Sequence, residues 1–136
     1  MTDPFVTEPP APVMVPLAEP RPPTPAEAAV VTALVAHTGN AALRAQGESV
    51  TVVSTCSCGC ASVGLRTDGP PLSTVDMLAL SGLGRDDWFA VRASHDGTDV
   101  VVHVLSGRLG ELEVYAGDGV AVPLPEPAGL TDVEVY

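Results

Sequence analysis

Apolar positions change their period along the chain, and the changes mark the elements. Between Thr24 and Thr38, Val30, Val31, Leu34 and Val35 recur at helical spacing, which predicts a helix with one apolar face. Thr24-Pro25-Ala26-Glu27 supplies its start: a capping box with proline at the first helical position. Gly39 is placed to end it, and Asn40 to cap a short second helix over Ala41–Gln46 that Gly47 closes. From Ser49 the period falls to two. Ser57-Cys58-Gly59 suits a three-residue hairpin loop with Gly59 in the left-handed position. In that register Cys56 faces Cys60, Ser54 faces Ser62, Val53 faces Val63 and Thr51 faces Leu65. Thr51, Val53, Val63 and Leu65 then form the core face of a hairpin over residues 50–66, while Ser54, Ser62, Cys56, Cys60 and Arg66 share the other.

A second alternating region spans residues 88–115. Asp96-Gly97 between apolar runs is a strong signal for a two-residue turn, and it puts Phe89, Val91, Ala93, Val100, Val102 and Val104 on one face. Unbroken pairing around Ser106-Gly107 would place Glu111 and Glu113 in the core. Burying two carboxylates costs more than leaving one residue unpaired, so an extra loop residue or a bulge is expected, setting Leu112 and Val114 opposite Val102 and Val100. The outer face then carries Trp88, Arg92, His103, Leu105, Leu109, Glu111 and Tyr115. Between the two regions, Ser73 is placed to cap one or two turns of helix reaching Leu80, and Gly82 and Gly84 favour irregular chain. Val120–Pro125 reads as a short edge strand. Thr131–Tyr136 alternates like a strand, or else lies over the outer face.

These elements predict an α+β fold: one or two N-terminal helices packed on an antiparallel sheet of about five strands. The domain is expected over residues 24–125, with 126–136 as a C-terminal extension. Residues 1–23 hold eight prolines, from Pro4 to Pro23, and read as a disordered tail of polyproline II character. The PxxP spacing of Pro20 to Pro25 matches a groove ligand, but for so short a motif a solvated tail is the expected reading.

Charge narrows the partners. The chain of 136 residues has 6 basic residues, all arginine, against 17 acidic ones, a formal charge of −11. A field of that sign repels phosphate backbones and anionic lipid, so neither nucleic acid nor membrane is an expected partner, and a basic protein is. No apolar run approaches the roughly 20 residues a bilayer requires. The prolines and acids of the N-terminus do not resemble a secretory signal, so a cytoplasmic protein with reduced thiols is expected.

Every cysteine of the chain falls between Cys56 and Cys60. Three readings stay open: thiols acting as small apolar residues, a metal site, and a redox group. A tetrahedral zinc site brings sulfurs to about 4 Å of one another, whereas alternate residues of a strand stand about 7 Å apart. Cys56, Cys58 and Cys60 can therefore hold zinc only if the loop curls. His37, His95 and His103 have no recognisable ligand spacing. Cys56 and Cys60 as a cross-strand pair would also lie within reach of a disulfide. There is no Gly-rich phosphate loop, HExxH or Gly-x-Ser-x-Gly, and Glu111 and Glu113 read as solvated charges.

The Leu43–Gln46 step (Leu-Arg-Ala-Gln), the Cys-x-Cys-Gly-Cys hairpin of Cys56–Cys60 and the Gly107–Tyr115 strand ending Leu-Glu-Val-Tyr resemble a group of small bacterial proteins. The resemblance covers about residues 26–125 and implies no activity or catalytic residue. The leading expectation is a non-enzymatic module that binds a basic protein through Trp88, Leu105, Leu109 and Tyr115. Zinc on Cys56, Cys58 and Cys60 is the alternative, and a thiol redox protein the second.

Overall fold

The structure, a computed structural model, describes residues 11–136. In chain order the elements are β1 (Met14–Arg21), α1 (Pro25–Ala36), α2 (Ala41–Glu48), β2 (Thr51–Cys56), β3 (Val63–Arg66), α3 (Thr74–Leu80), β4 (Trp88–His95), β5 (Thr98–Leu105), β6 (Arg108–Tyr115) and β7 (Thr131–Val135). One 7-stranded sheet has the order β1-β2-β3-β6-β5-β4-β7, with every pairing antiparallel. The fold is α+β. It carries more strands than the alternation suggested and a third helix.

The helix signals act as the sequence predicts. Thr24 accepts from the Glu27 amide and Glu27 reaches back to the Thr24 amide, closing the capping box. Asn40 caps α2 and Ser73 caps α3. α2 continues through Gly47 to Glu48, and Gly47 lies beside the Val31 side chain of α1. Val30, Val31, Leu34 and Val35 of α1 and Leu43 of α2 are buried against Phe89, Val91, Val100, Val102 and Leu112. At roughly 1.5–3 kcal/mol for each buried aliphatic or aromatic side chain, this contact between helices and sheet dominates the stability.

The meander follows the carboxylate argument. Asp96 and Gly97 both take positive φ (45° and 78°), and so do Ser106 and Gly107 (51° and 86°), so each turn has two left-handed central residues. After the Ser106-Gly107 turn Val104 pairs with Leu109, but His103 pairs with Glu111, leaving Gly110 as the bulged residue. Leu112 and Val114 reach Val102 and Val100, and the two glutamates stay outside. The same bulge corrects one expectation. Leu109 lies before it and faces the core, 2% exposed, so it cannot belong to an outer binding face.

Three further expectations are corrected. Residues 14–21 of the expected tail form β1, an edge strand beside β2, so the ordered domain begins before Thr24; the remainder of that expectation, residues 1–10, lies outside the described residues. Proline is barred from a central strand but not from an edge, where it has no outer partner to lose. Arg21 then makes a two-pronged ion pair with Glu27 at 2.8 and 3.1 Å, clipping the end of β1 to the start of α1. At the other end, Thr131–Val135 joins the sheet as β7 beside β4, so the domain also extends beyond 125. On the outer face Tyr136 packs edge-on against Trp88, and Glu134 pairs with Arg92. Val120–Pro125 forms no strand.

Gln46 joins helices to sheet. Its side chain, 1% exposed, donates to the carbonyls of Pro70 (2.9 Å) and Gly107 (2.8 Å) and accepts from the Leu109 amide (3.0 Å). Leu72 also donates to the Gly107 carbonyl, and a Cβ on Gly107 would sit 2.7 Å from the Leu72 oxygen. Gln46→Leu keeps the bulk but leaves the buried Leu109 amide without this acceptor, strips the donor from the Pro70 carbonyl and leaves the Gly107 carbonyl with Leu72 alone. It should lower unfolding free energy by about 2 kcal/mol, measured by urea unfolding.

Candidate functional site

Strands β2 and β3 leave their ladder after Thr55 pairs with Val63, so the intervening loop is longer than the three residues the sequence suggested. A bulge at Val53 shifts the register: Val52 pairs with Leu65 and Ser54 with Gly64. Cys56 and Cys60 are therefore not a cross-strand pair. The chain makes a tight turn from the Cys56 carbonyl to the Gly59 amide (3.1 Å), and Gly59 takes φ 81° to redirect it. That curl brings the three sulfurs within 4.8 Å of one another. The Cys56 and Cys58 sulfurs are 3.1 Å apart, and the Cys60 amide donates to the Cys58 sulfur at 3.4 Å.

The loop is clamped on both sides. On one, the Ser57 amide donates to the Val13 carbonyl and the Val13 amide to the Ser57 hydroxyl, tying it to the chain before β1. On the other, the buried Ser62 hydroxyl accepts from the Val114 amide (2.8 Å) and donates to the Val114 carbonyl (3.3 Å), replacing a ladder pair with β6. The thiols are free, Cys58 exposed and Cys56 and Cys60 half-buried. They line a cleft of about 820 Å³ together with Met14 of β1 and Glu111, Glu113 and Tyr115 of β6. Among the described residues they are the one group of three or more His, Cys, Asp or Glu side chains close enough to share an ion.

The thiols differ in acidity. The hydrogen bond with Cys58 pushes the Cys56 thiol up from 9.0 to about 11. Burial also pushes Cys60 up, but hydrogen bonds from the Ser62 hydroxyl and amide and from the other two thiols outweigh it and leave Cys60 below its usual 9.0. At the cleft's acidic wall, the Trp88 indole donates to His103 Nδ1 (3.1 Å), and an indole has no acceptor to offer in return. His103 in its neutral form therefore carries its proton on Nε2 and donates it to Glu113 (3.0 Å). This bond holds the Glu113 carboxyl below the usual carboxylate range. Burial raises Glu111, whose nearest contact with His103 is 3.9 Å.

No family model, curated protein or solved structure matches the chain. The site is therefore judged on its own geometry.

Of the residues expected to form a partner surface, the structure keeps two together. Trp88 and Leu105 border a hollow of about 520 Å³ with Leu83 and Arg85. Tyr115 lies at the far end of β6, in the cysteine cleft, bonded to Asp118. None of the three histidines lines that cleft: His37 sits at the C-terminal end of α1, His95 bonds the Gly129 carbonyl, and His103 is engaged as above. Met14 escaped the sequence reading because nothing in a proline-rich stretch marks an edge strand. No helix among the described residues is long and apolar enough to cross a membrane.

The unequal acidities predict an order of reaction. With iodoacetamide under reducing conditions and rising pH, Cys60 should alkylate before Cys56, which remains largely a thiol until near pH 11. Peptide mass spectrometry of timed samples reads the order; simultaneous labelling of Cys60 and Cys56 would contradict it.

Proposed function

We propose that the protein is a small non-enzymatic module that binds a thiophilic metal ion through Cys56, Cys58 and Cys60. One observation carries the reading: three thiols of one loop lie within 4.8 Å of one another before any ion is added. Sulfurs bound to one zinc stand about 4 Å apart, so small side-chain rotations suffice to close the site. The clamps at Val13 and Val114 hold the loop in this curl, which limits the ordering cost of binding. The acidic cleft wall and the net charge of −11 favour a cation over an anion. Binding would release thiol protons, so affinity should rise with pH.

Protein purified without chelator should carry close to one metal ion per chain by elemental analysis, with the three thiols protected from titration. Cys58→Ser should lower the affinity by about tenfold or more. Metal-free protein with three freely titrating thiols, unable to take up added zinc, would dismiss the reading.

Docking of a basic protein at the opposite end of the sheet is a second reading. Leu83 and Leu105, 64% and 49% exposed beside Trp88, favour it. Leu105→Asp should abolish capture of such a partner from the native host and leave metal binding unchanged. Equal recovery by both forms would remove it.

A further inference from the structure

The cleft holds a fourth sulfur. Met14 pairs directly with Cys56 across β1 and β2, and directly opposed residues of an antiparallel pair project their side chains to the same face. Both border the cleft that contains Cys58 and Cys60. A closed tetrahedral zinc site takes cysteine or histidine as its fourth ligand, and neither remains. Every cysteine is already counted, no histidine lines the cleft, and both ring nitrogens of His103 are bonded elsewhere. Glu111, Glu113 and Asp118 also line the cleft, but none of them joins the three sulfurs in a group within 4.8 Å, and Glu113 is engaged by His103 and Asp118 by Tyr115. The donors left at the loop are thiolates and a thioether, the set that selects soft monovalent copper over harder ions.

We infer that the cleft selects Cu(I), held by the thiolates of Cys56, Cys58 and Cys60 with the Met14 thioether as an additional sulfur donor. The inference rests on the three cysteines binding metal and adds the identity of the ion and a ligand from a separate strand. It gives β1 a role: the edge strand carries a donor to the rim of the loop. Three thiolates suffice for Cu(I), which accepts low coordination numbers, so the thioether tunes affinity rather than creating the site. A thioether is a poor donor to Zn(II), so the contribution of Met14 should differ between the ions.

The test is anaerobic competition of the full chain against a chromophoric Cu(I) chelator, alongside a parallel Zn(II) competition, for wild type and Met14→Leu. Leucine preserves bulk and apolar character at this half-buried position, and thermal unfolding checks that the fold survives. The expected result is a loss of Cu(I) affinity of about tenfold in Met14→Leu, the lower end of what losing a supporting group costs a metal site, with Zn(II) affinity unchanged. X-ray absorption at the copper edge should show one fewer sulfur neighbour in the variant. Unchanged Cu(I) affinity, or equal loss for both ions, overturns the role of Met14 and leaves the three-cysteine site standing. Failure of wild type to bind either ion overturns both.

Discussion

A single buried amide, that of Gln46, ties the helical layer to the sheet at the turn between β5 and β6. The turn between β5 and β6 and the chain around Pro70 meet beneath α2, and neither can complete its hydrogen bonds through a regular ladder. Gln46 meets all three demands at once, two carbonyls and one amide, with the two-donor, two-acceptor chemistry that a carboxamide alone combines at that size. Because the side chain is 1% exposed, water cannot readily reach the Leu109 amide in its place, and that amide would bear its desolvation cost unpaired. This junction fixes how β6 leaves its turn, and β6 in turn carries the Val114 backbone that anchors the cysteine loop.

The same logic extends to the cleft. A loop with three cysteines and a glycine has little intrinsic reason to hold one shape, since it buries no apolar core of its own. Its curl is imposed from both sides, by Val13 before β1 and by Val114 of β6 through Ser62. The sulfurs are thus positioned by neighbours distant in sequence, and their acidities diverge because each has different partners. Cys56 is held protonated by its hydrogen bond with Cys58, and Cys60 is favoured as a thiolate by bonds with Ser62 and the other thiols.

Local chemistry made much of the fold legible. The capping box at Thr24 and the caps at Asn40 and Ser73 rest on side chains bonding amides three residues away, so tertiary contacts were not needed to read them. The Asp96-Gly97 turn was legible because few residue pairs accept two left-handed conformations in succession. The bulge after Ser106-Gly107 followed from the cost of burying Glu111 and Glu113. What that argument left open, bulge or longer loop, decided the fate of Leu109: with the irregularity at Gly110, Leu109 falls inside the core rather than beside Trp88.

The sequence by itself determined the helices, the meander, the acidic surface and the clustering of all thiols in one loop, because each is set by side chains acting over a few residues. Tertiary structure alone decided that a proline-rich stretch becomes an edge strand, that the C-terminal residues extend the opposite edge, and that Met14 stands beside Cys56. Those outcomes depend on which unpaired strand edges are available once the core has formed. Prolines forbid a place in the middle of a sheet without specifying a place at its margin, so the decision belongs to the assembled sheet and not to the residues that join it.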